Sequence, residues 1–223
     1  GDGIINKEEW TLRTDPNERD SDADGVDDAT ESESGDDPLD PRDQRPSCHI
    51  LGPRWTLPGD TILLDASPSA DPNGLALTYT WSLDAPTGSG VATVDNPTPS
   101  QAEWESDVIG DWDILLTLDN GNTTTSCSWT TEVLDAWVVP DEFDSIQEAI
   151  DSSSDGDTIA IRAGTYLETL NPEGRSLRIV GLGDASTVQI DAEQTDSVLR
   201  LQNKEQFSLF NLTLQGGYAV DGG

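Results

Sequence analysis

From Ser47 to about Asp135 the apolar residues follow no helical period, and short β-rich runs alternate with clusters of turn formers. The candidate strands are Thr61–Asp65, Leu77–Ser82, Gly90–Val94, Trp112–Leu118 and Ser128–Val133. Pro68, Asp71–Gly74, Thr87–Gly88 and Asp119–Asn122 punctuate them. About 90 residues with this spacing predict a β-sandwich. Alternation places Leu77, Tyr79 and Trp81 on one face, which makes Trp81 a core residue and not a ligand platform.

Beyond Val138 the texture changes. Ile146, Ala149 and Ile150 share one face of a short helix, with Asp144 or Ser145 placed to cap it. Asp155-Gly156-Asp157 turns into a strand at Thr158–Ile161, and Ala163–Tyr166 is expected to turn again. Further short strands are expected at Leu177–Val180, Val188–Ile190, Val198–Leu201, Phe207–Leu209 and Leu212–Leu214. Short strands each closed by a polar turn suit stacked coils better than a sandwich.

Ahead of both regions lies Asp20–Glu31, DSDADGVDDATE, where oxygen ligands fall at fixed offsets around one glycine. With Asp20 as position 1, Asp22, Asp24, Asp28 and Glu31 occupy positions 3, 5, 9 and 12, and Gly25 occupies position 6. That is the ligand spacing of an EF-hand calcium loop. Asp20, Asp22 and Asp24 supply side-chain oxygens, Val26 its carbonyl, Asp28 a direct or water-borne contact, and Glu31 two oxygens. An acidic linker is the competing explanation, but it has no reason to place glycine at position 6 and glutamate at position 12. The first nine residues read as the back half of a second loop, with Asp2, Ile4, Asn6 and Glu9 in the corresponding positions. Its Gly3 precedes Gly25 by 22 residues, and an Asp-Pro follows each loop. Residues 1–43 thereby resemble the thrombospondin type 3-like calcium repeats of bacterial surface proteins. A gripping module of the dockerin type needs a helix after each loop, and residues 10–19 and 32–43, with their Asp-Pro pairs, are poor helices.

Two further resemblances follow from longer strings. PGDTILLDASPSADPNGLALTYTWSLDAP, with Val108–Trp112 and Leu116–Gly121 after it, resembles a PKD-type immunoglobulin-like domain. That resemblance implies a spacer or adhesion module. Asp71, Asn73 and Asp119 are open to two readings, a further calcium site or Asx turns. VPDEFDSIQEAIDSSSDGDTIAIRAGTY, then SLRIVGLG, STVQIDAE and FSLFNLTLQGG, is similar to the start of a pectin lyase-like right-handed β-helix. Many members of that fold cleave or bind acidic polysaccharide through later coils, so the resemblance transfers no catalytic residue here.

Charge narrows the partners. The net charge is −33, and 16 of the 44 acidic residues lie in residues 1–46. Such a field excludes nucleic acid and anionic membrane as partners. No apolar run is long enough to insert into a membrane. Cys48 and Cys127 form no CxxC pair, and His49 is the single histidine, so a structural zinc site lacks its ligands. The cysteines are either one disulfide, enclosing roughly 80 residues and worth about 4 kcal/mol in the chain-entropy model, or two unrelated thiols. In the PKD-type architecture the strands near them are neighbours, which implies the Cys48–Cys127 bridge. A disulfide and calcium loops together point to an extracellular or cell-surface location.

Chemistry beyond calcium is sparse: Gly181 and Gly183 lack the third glycine of a phosphate loop, and no GxSxG accompanies His49. Asn122 and Asn211 head glycosylation tripeptides but read better as turn and coil positions. Beginning in mid-loop and lacking methionine, the chain is expected to be an internal piece of a longer protein. The expectation is a mainly β chain in three parts. Residues 1–43 are calcium-loop repeats, 44–136 a PKD/Ig-like β-sandwich, and 137–223 the cap and first coils of a right-handed parallel β-helix. Its expected role is a calcium-stabilised structural or adhesive segment facing a polysaccharide or another cell-surface component. The alternative is the accessory and N-terminal part of a polysaccharide-active β-helix enzyme.

Overall fold

A computed structural model describes residues 4, 6–41, 44–91, 93–201 and 206–218. Two short helices open the chain, α1 (Asn6–Leu12) and α2 (Asp28–Ser34). Asp27 caps α2 by accepting the Thr30 N–H, and Gly35, in the left-handed region at φ 84°, closes it. These helices were not expected from the sequence, because each is only two turns long and begins inside its loop.

The middle of the chain is built from β1 (Trp55–Thr56), β2 (Thr61–Asp65), β3 (Thr78–Asp84), β4 (Gln101–Glu105), β5 (Gly110–Asp119) and β6 (Thr124–Val133). One sheet has the order β1-β6-β5-β3, and β2 pairs with β4 in a second. β5 and β6 form an antiparallel hairpin with Leu116 opposite Cys127, whereas β1 joins β6 in parallel. Alternation along β5 buries Trp112, Ile114, Leu116 and Leu118 and turns the intervening residues outward. Ile62, Leu64 and Trp104 from the second sheet enter the same core. Leu77, Tyr79 and Trp81 pack against that core but remain half-buried, because β3 is an edge strand. Cys48 and Cys127 form a disulfide, Cα–Cα 5.9 Å, that ties the entry of this region to β6.

Within Gly90–Val94, where Ala92 lies outside the described residues, the described residues do not form the expected strand. Asp107 accepts the Ser89 hydroxyl and the Gly90 N–H, Val91 and Val94 reach the core, and pairing is limited to an isolated bridge between Asp95 and Glu103. β4, which the sequence reading missed, takes the place opposite β2.

The last part is a β-solenoid of about 3 turns. β7 (Trp137–Val139) leads into α3 (Ile146–Ser152), capped by Ser145, one of the two residues expected to do so. Then follow β8 (Thr158–Ile161), β9 (Gly164–Tyr166), β10 (Arg178–Gly181), β11 (Val188–Asp191), β12 (Ser208–Phe210) and β13 (Thr213–Gln215). One face is the parallel sheet β12-β10-β8-β7, and the next is β13-β11-β9. In register, Ile159, Ile179 and Leu209 stack on one another, as do Tyr166, Ile190 and Leu214. Ala163–Tyr166 is therefore largely strand and not turn, and Val198–Leu201 reduces to a single parallel bridge between Leu170 and Leu199. Ile146, Ala149 and Ile150 plug the open end of this stack, packing on Val139, Ile159 and Ile161. Glu168 fixes the plug, each of its carboxylate oxygens accepting one N–H from Ile146 and Gln147, at 3.0 and 2.9 Å.

The β region and the solenoid meet in a closed junction. Leu57, Leu134, Ala160 and Val180 are buried together there, with Trp55, Val138 and Leu182 against them. Arg178 makes a bidentate pair with Glu132 at 2.6 and 2.5 Å, and Trp55 Nε1 donates to the same carboxylate. Among the described residues no helix is long and apolar enough to cross a membrane.

Candidate metal centre

The loop before α2 brings three carboxylates together. Oxygens of Asp20, Asp22 and Asp24 lie within 4.8 Å of one another. Backbone N–H groups place them. Asp24 N donates to Asp20 Oδ1 and Asp22 Oδ1, Gly25 N donates to Asp20 Oδ2, and Val26 N donates to Asp24 Oδ1. This wrapping requires the backbone to reverse at Gly25, where φ is 101° and a side chain would be strained. The second oxygens of Asp22 and Asp24 are buried and, among the described residues, accept no hydrogen bond. A buried carboxylate oxygen without a donor is costly unless a cation sits beside it.

Electrostatics agree with geometry. The Asp22 carboxyl is pushed up to about 6, first by burial and then by the neighbouring charges of Asp24 and Asp20, against a lowering bond from the Asp24 N–H. Asp27, by contrast, is held below the usual range by the Thr30 backbone and hydroxyl. Asp27 faces the helix N-terminus and is no part of the cluster.

The remaining expected ligands are placed differently. Asp28 is fully buried, but both its oxygens accept from Ser21, from the N–H and the hydroxyl, each at 2.7 Å. It therefore pins the loop's second residue to α2 and stands apart from the three converging carboxylates. Glu31 is buried in the first turn of α2, 2 % exposed. Val26, within the loop, is half-buried. In the earlier half-loop, Asp2 lies outside the described residues, Ile4 is half-buried, and Asn6 begins α1. Glu9 is 3 % exposed in α1, the counterpart of Glu31 in α2. Each closing glutamate thus rides on a short helix. The signal for the second helix was present in Asp27 before it and Gly35 after it.

The donor set is all oxygen, with carboxylates converging and two of their oxygens buried without donors, and it fits a hard divalent cation. Asp71 does not add a second centre: its Oδ1 accepts from Asn73 N and Leu75 N, and its Oδ2 from Asn120. Asp119 accepts from Gly121 N. Both carboxylates serve Asx turns. His49 is exposed, and its backbone N–H and carbonyl both pair with the Ser69 hydroxyl.

No family model matches this chain. No curated protein matches it either. Among solved structures it is similar to a nucleoside hydrolase-related hypothetical protein from Saccharophagus degradans that is associated with carbohydrate metabolism, at 28% identity and a TM-score of 0.34. The likeness covers 41% of this chain, which spans about a quarter (25%) of that protein's length.

Proposed function

We propose that this chain is a calcium-stabilised structural and adhesive segment of an extracellular, cell-surface protein. In this reading residues 1–43 are a calcium arm of the thrombospondin type 3-like kind. Residues 44–136 form a PKD-like β-sandwich spacer, and residues 137–223 form the cap and first coils of a right-handed, pectin lyase-like β-helix. The observation that carries the reading is the trio Asp20, Asp22 and Asp24, with two buried carboxylate oxygens that lack donors.

Calcium bound there supplies positive charge and oxygen coordination, a structural contribution. The chain's own residues do the rest. Asp20, Asp22 and Asp24 provide the oxygens, Gly25 allows the reversal, and Asp27 starts the helix that carries Glu31. Empty, the clustered carboxylates repel one another, so folding of the arm and ion binding are coupled. The presented β-helix faces a polysaccharide or another surface component, as its pectin lyase-like resemblance implies, while the overall charge of −33 argues against nucleic acid and anionic membrane. The disulfide accords with an oxidising compartment.

Limited proteolysis of the full chain, with calcium and with chelator, tests this. Chelation is expected to open the arm to cleavage while the disulfide-tied region stays resistant. Equal protection of residues 1–43 in both conditions refutes the calcium reading.

A further inference from the structure

The peptide unit between Asp24 and Gly25 is gripped from both sides. Its N–H donates to Asp20 Oδ2 at 2.9 Å, and its carbonyl accepts from Gln44 Nε2 at 3.1 Å. A peptide unit is planar and stiff, so these two partners are joined by a rigid plate. Gln44 is in turn held by the turn between β5 and β6. Its carbonyl accepts from Asn120 Nδ2 at 3.1 Å and from the Thr123 hydroxyl at 3.4 Å.

Asn120 is itself fixed. It is 8% exposed, its Nδ2 also donates to Asp71, and its Oδ1 accepts the N–H groups of Asn122 and Thr123 at 2.9 and 2.7 Å. The neighbouring Arg45 reaches the other end of the loop–helix unit. Its guanidinium donates to the Ser34 carbonyl at 2.6 Å and to Asp36 at 2.8 Å. Two consecutive residues thus clasp the loop and the end of α2. Asn73 donates to the Pro41 carbonyl, a second tie between the arm and the β region.

We infer that Gln44 is a positioning residue for the calcium loop, coupling occupancy of the trio to the seating of the arm on the β5–β6 turn. The inference rests on the calcium reading proposed above. When the ion fixes Asp20, the Asp24–Gly25 plate is fixed with it, and the acceptor for Gln44 is held in place. When the trio is empty, repulsion among the carboxylates moves the plate and slackens the grip. The coupling is reciprocal: a seated arm presents Asp20 pre-oriented, which raises ion affinity. Nothing in the sequence marks Gln44, because its donor and its acceptor serve partners 20 and 76 residues away.

The test uses the full chain, titrated calorimetrically with calcium chloride and followed by amide hydrogen exchange. In the wild-type chain, calcium should raise protection of the Asn122 and Thr123 amides. Gln44→Ala should weaken calcium binding about fivefold, the effect of one lost neutral hydrogen bond, and should abolish the calcium-dependent protection at the turn. Gln44→Glu, which puts a carboxylate against the Asp24 carbonyl, should weaken binding further. Unchanged protection of β5 amides in both variants verifies the fold. Wild-type affinity in Gln44→Ala, or turn protection that ignores calcium in the wild-type chain, overturns the inference while leaving the calcium reading intact. A wild-type titration without binding heat, joined with unchanged exchange everywhere, overturns both.

Discussion

Replacing Arg178 by Met removes a guanidinium from the junction while keeping an apolar stem beside Phe210, the ring over which Arg178 lies at 5.5 Å. The lost interactions are two charge-assisted bonds to Glu132 at 2.6 and 2.5 Å. Among the described residues the Glu132 carboxylate then keeps the Trp55 donor at 3.1 Å. Truncating one partner of a fully buried pair costs about 3–5 kcal/mol, and an exposed pair is worth about 0–1 kcal/mol. Here the side chains are 29% and 35% exposed, so water recovers part of the loss. The bidentate geometry then places the cost between those limits, at about 2 kcal/mol. A double-mutant cycle of Arg178→Met and Glu132→Gln, read by urea unfolding at neutral pH, should give a coupling energy of about 1–2 kcal/mol. The Glu132 carboxyl is held below its ordinary range, chiefly by the Arg178 bonds. Its contribution is therefore complete above the unfolded carboxylate's value and disappears as pH falls through the lowered folded value. Arg162→Met is the control. Its partners Asp141 and Asp60 lie at 2.7 and 3.7 Å and its side chain is 40% exposed, so it should cost less than about 1 kcal/mol. A coupling energy under about 0.5 kcal/mol for the Arg178 pair would class it with ordinary surface ion pairs and refute the junction argument.

Three further outcomes are expected. Reducing the disulfide, whose cysteines are 79 residues apart, removes about 4.5 kcal/mol in the chain-entropy model and should lower the melting midpoint of the β region by more than about 15 °C; a shift of a few degrees would show that the crosslink constrains little. Calcium affinity should fall as pH drops below about 6, because Asp22 must shed a proton before it can ligate; calorimetry in buffers of different ionisation heat should register proton release only in that acid range, and a pH-independent affinity from 5 to 7 contradicts the clustered trio. Gly181→Ala places a methyl 2.1 Å from the Asn211 carbonyl oxygen of the next coil, and should cost about 1–3 kcal/mol by scanning calorimetry; a neutral effect would mean that the coils are not stacked this closely.

How far the sequence revealed the fold depended on how local each determinant was. α3 was legible because Ser145 and the Ile146/Ala149/Ile150 face lie within six residues. β8 and β10 were legible because coil strands are short apolar runs bounded by turns. β4 was not, since Gln101–Glu105 buries only Ala102 and Trp104 and becomes a strand by pairing with β2, some 40 residues earlier. Gly90–Val94 misled because valines suggest a ladder, whereas the distant Asp107 takes the Ser89 hydroxyl and the Gly90 N–H. At the candidate metal centre the convergence of Asp20, Asp22 and Asp24 was legible from spacing alone. The bonds from Ser21 to both oxygens of Asp28 were not, because they form only once the loop has closed on α2. Gln44 was invisible for a related reason: its function depends on Asn120, which only the folded hairpin brings near.

The bond between Cys48 and Cys127 also determines where a pulling force travels. Tension applied at the two ends of the chain enters at Cys48, crosses the sulfur bridge to Cys127, and runs along β6 to Val133 before passing into the solenoid. The chain between the cysteines lies outside that load path and acts as a slack loop, so its unfolding releases no length. Only reduction would pay it out, at roughly 3.3–3.6 Å for each of the 79 residues, or roughly 260–280 Å in all. The oxidation state of one bond thus sets how far this part of the molecule can be stretched.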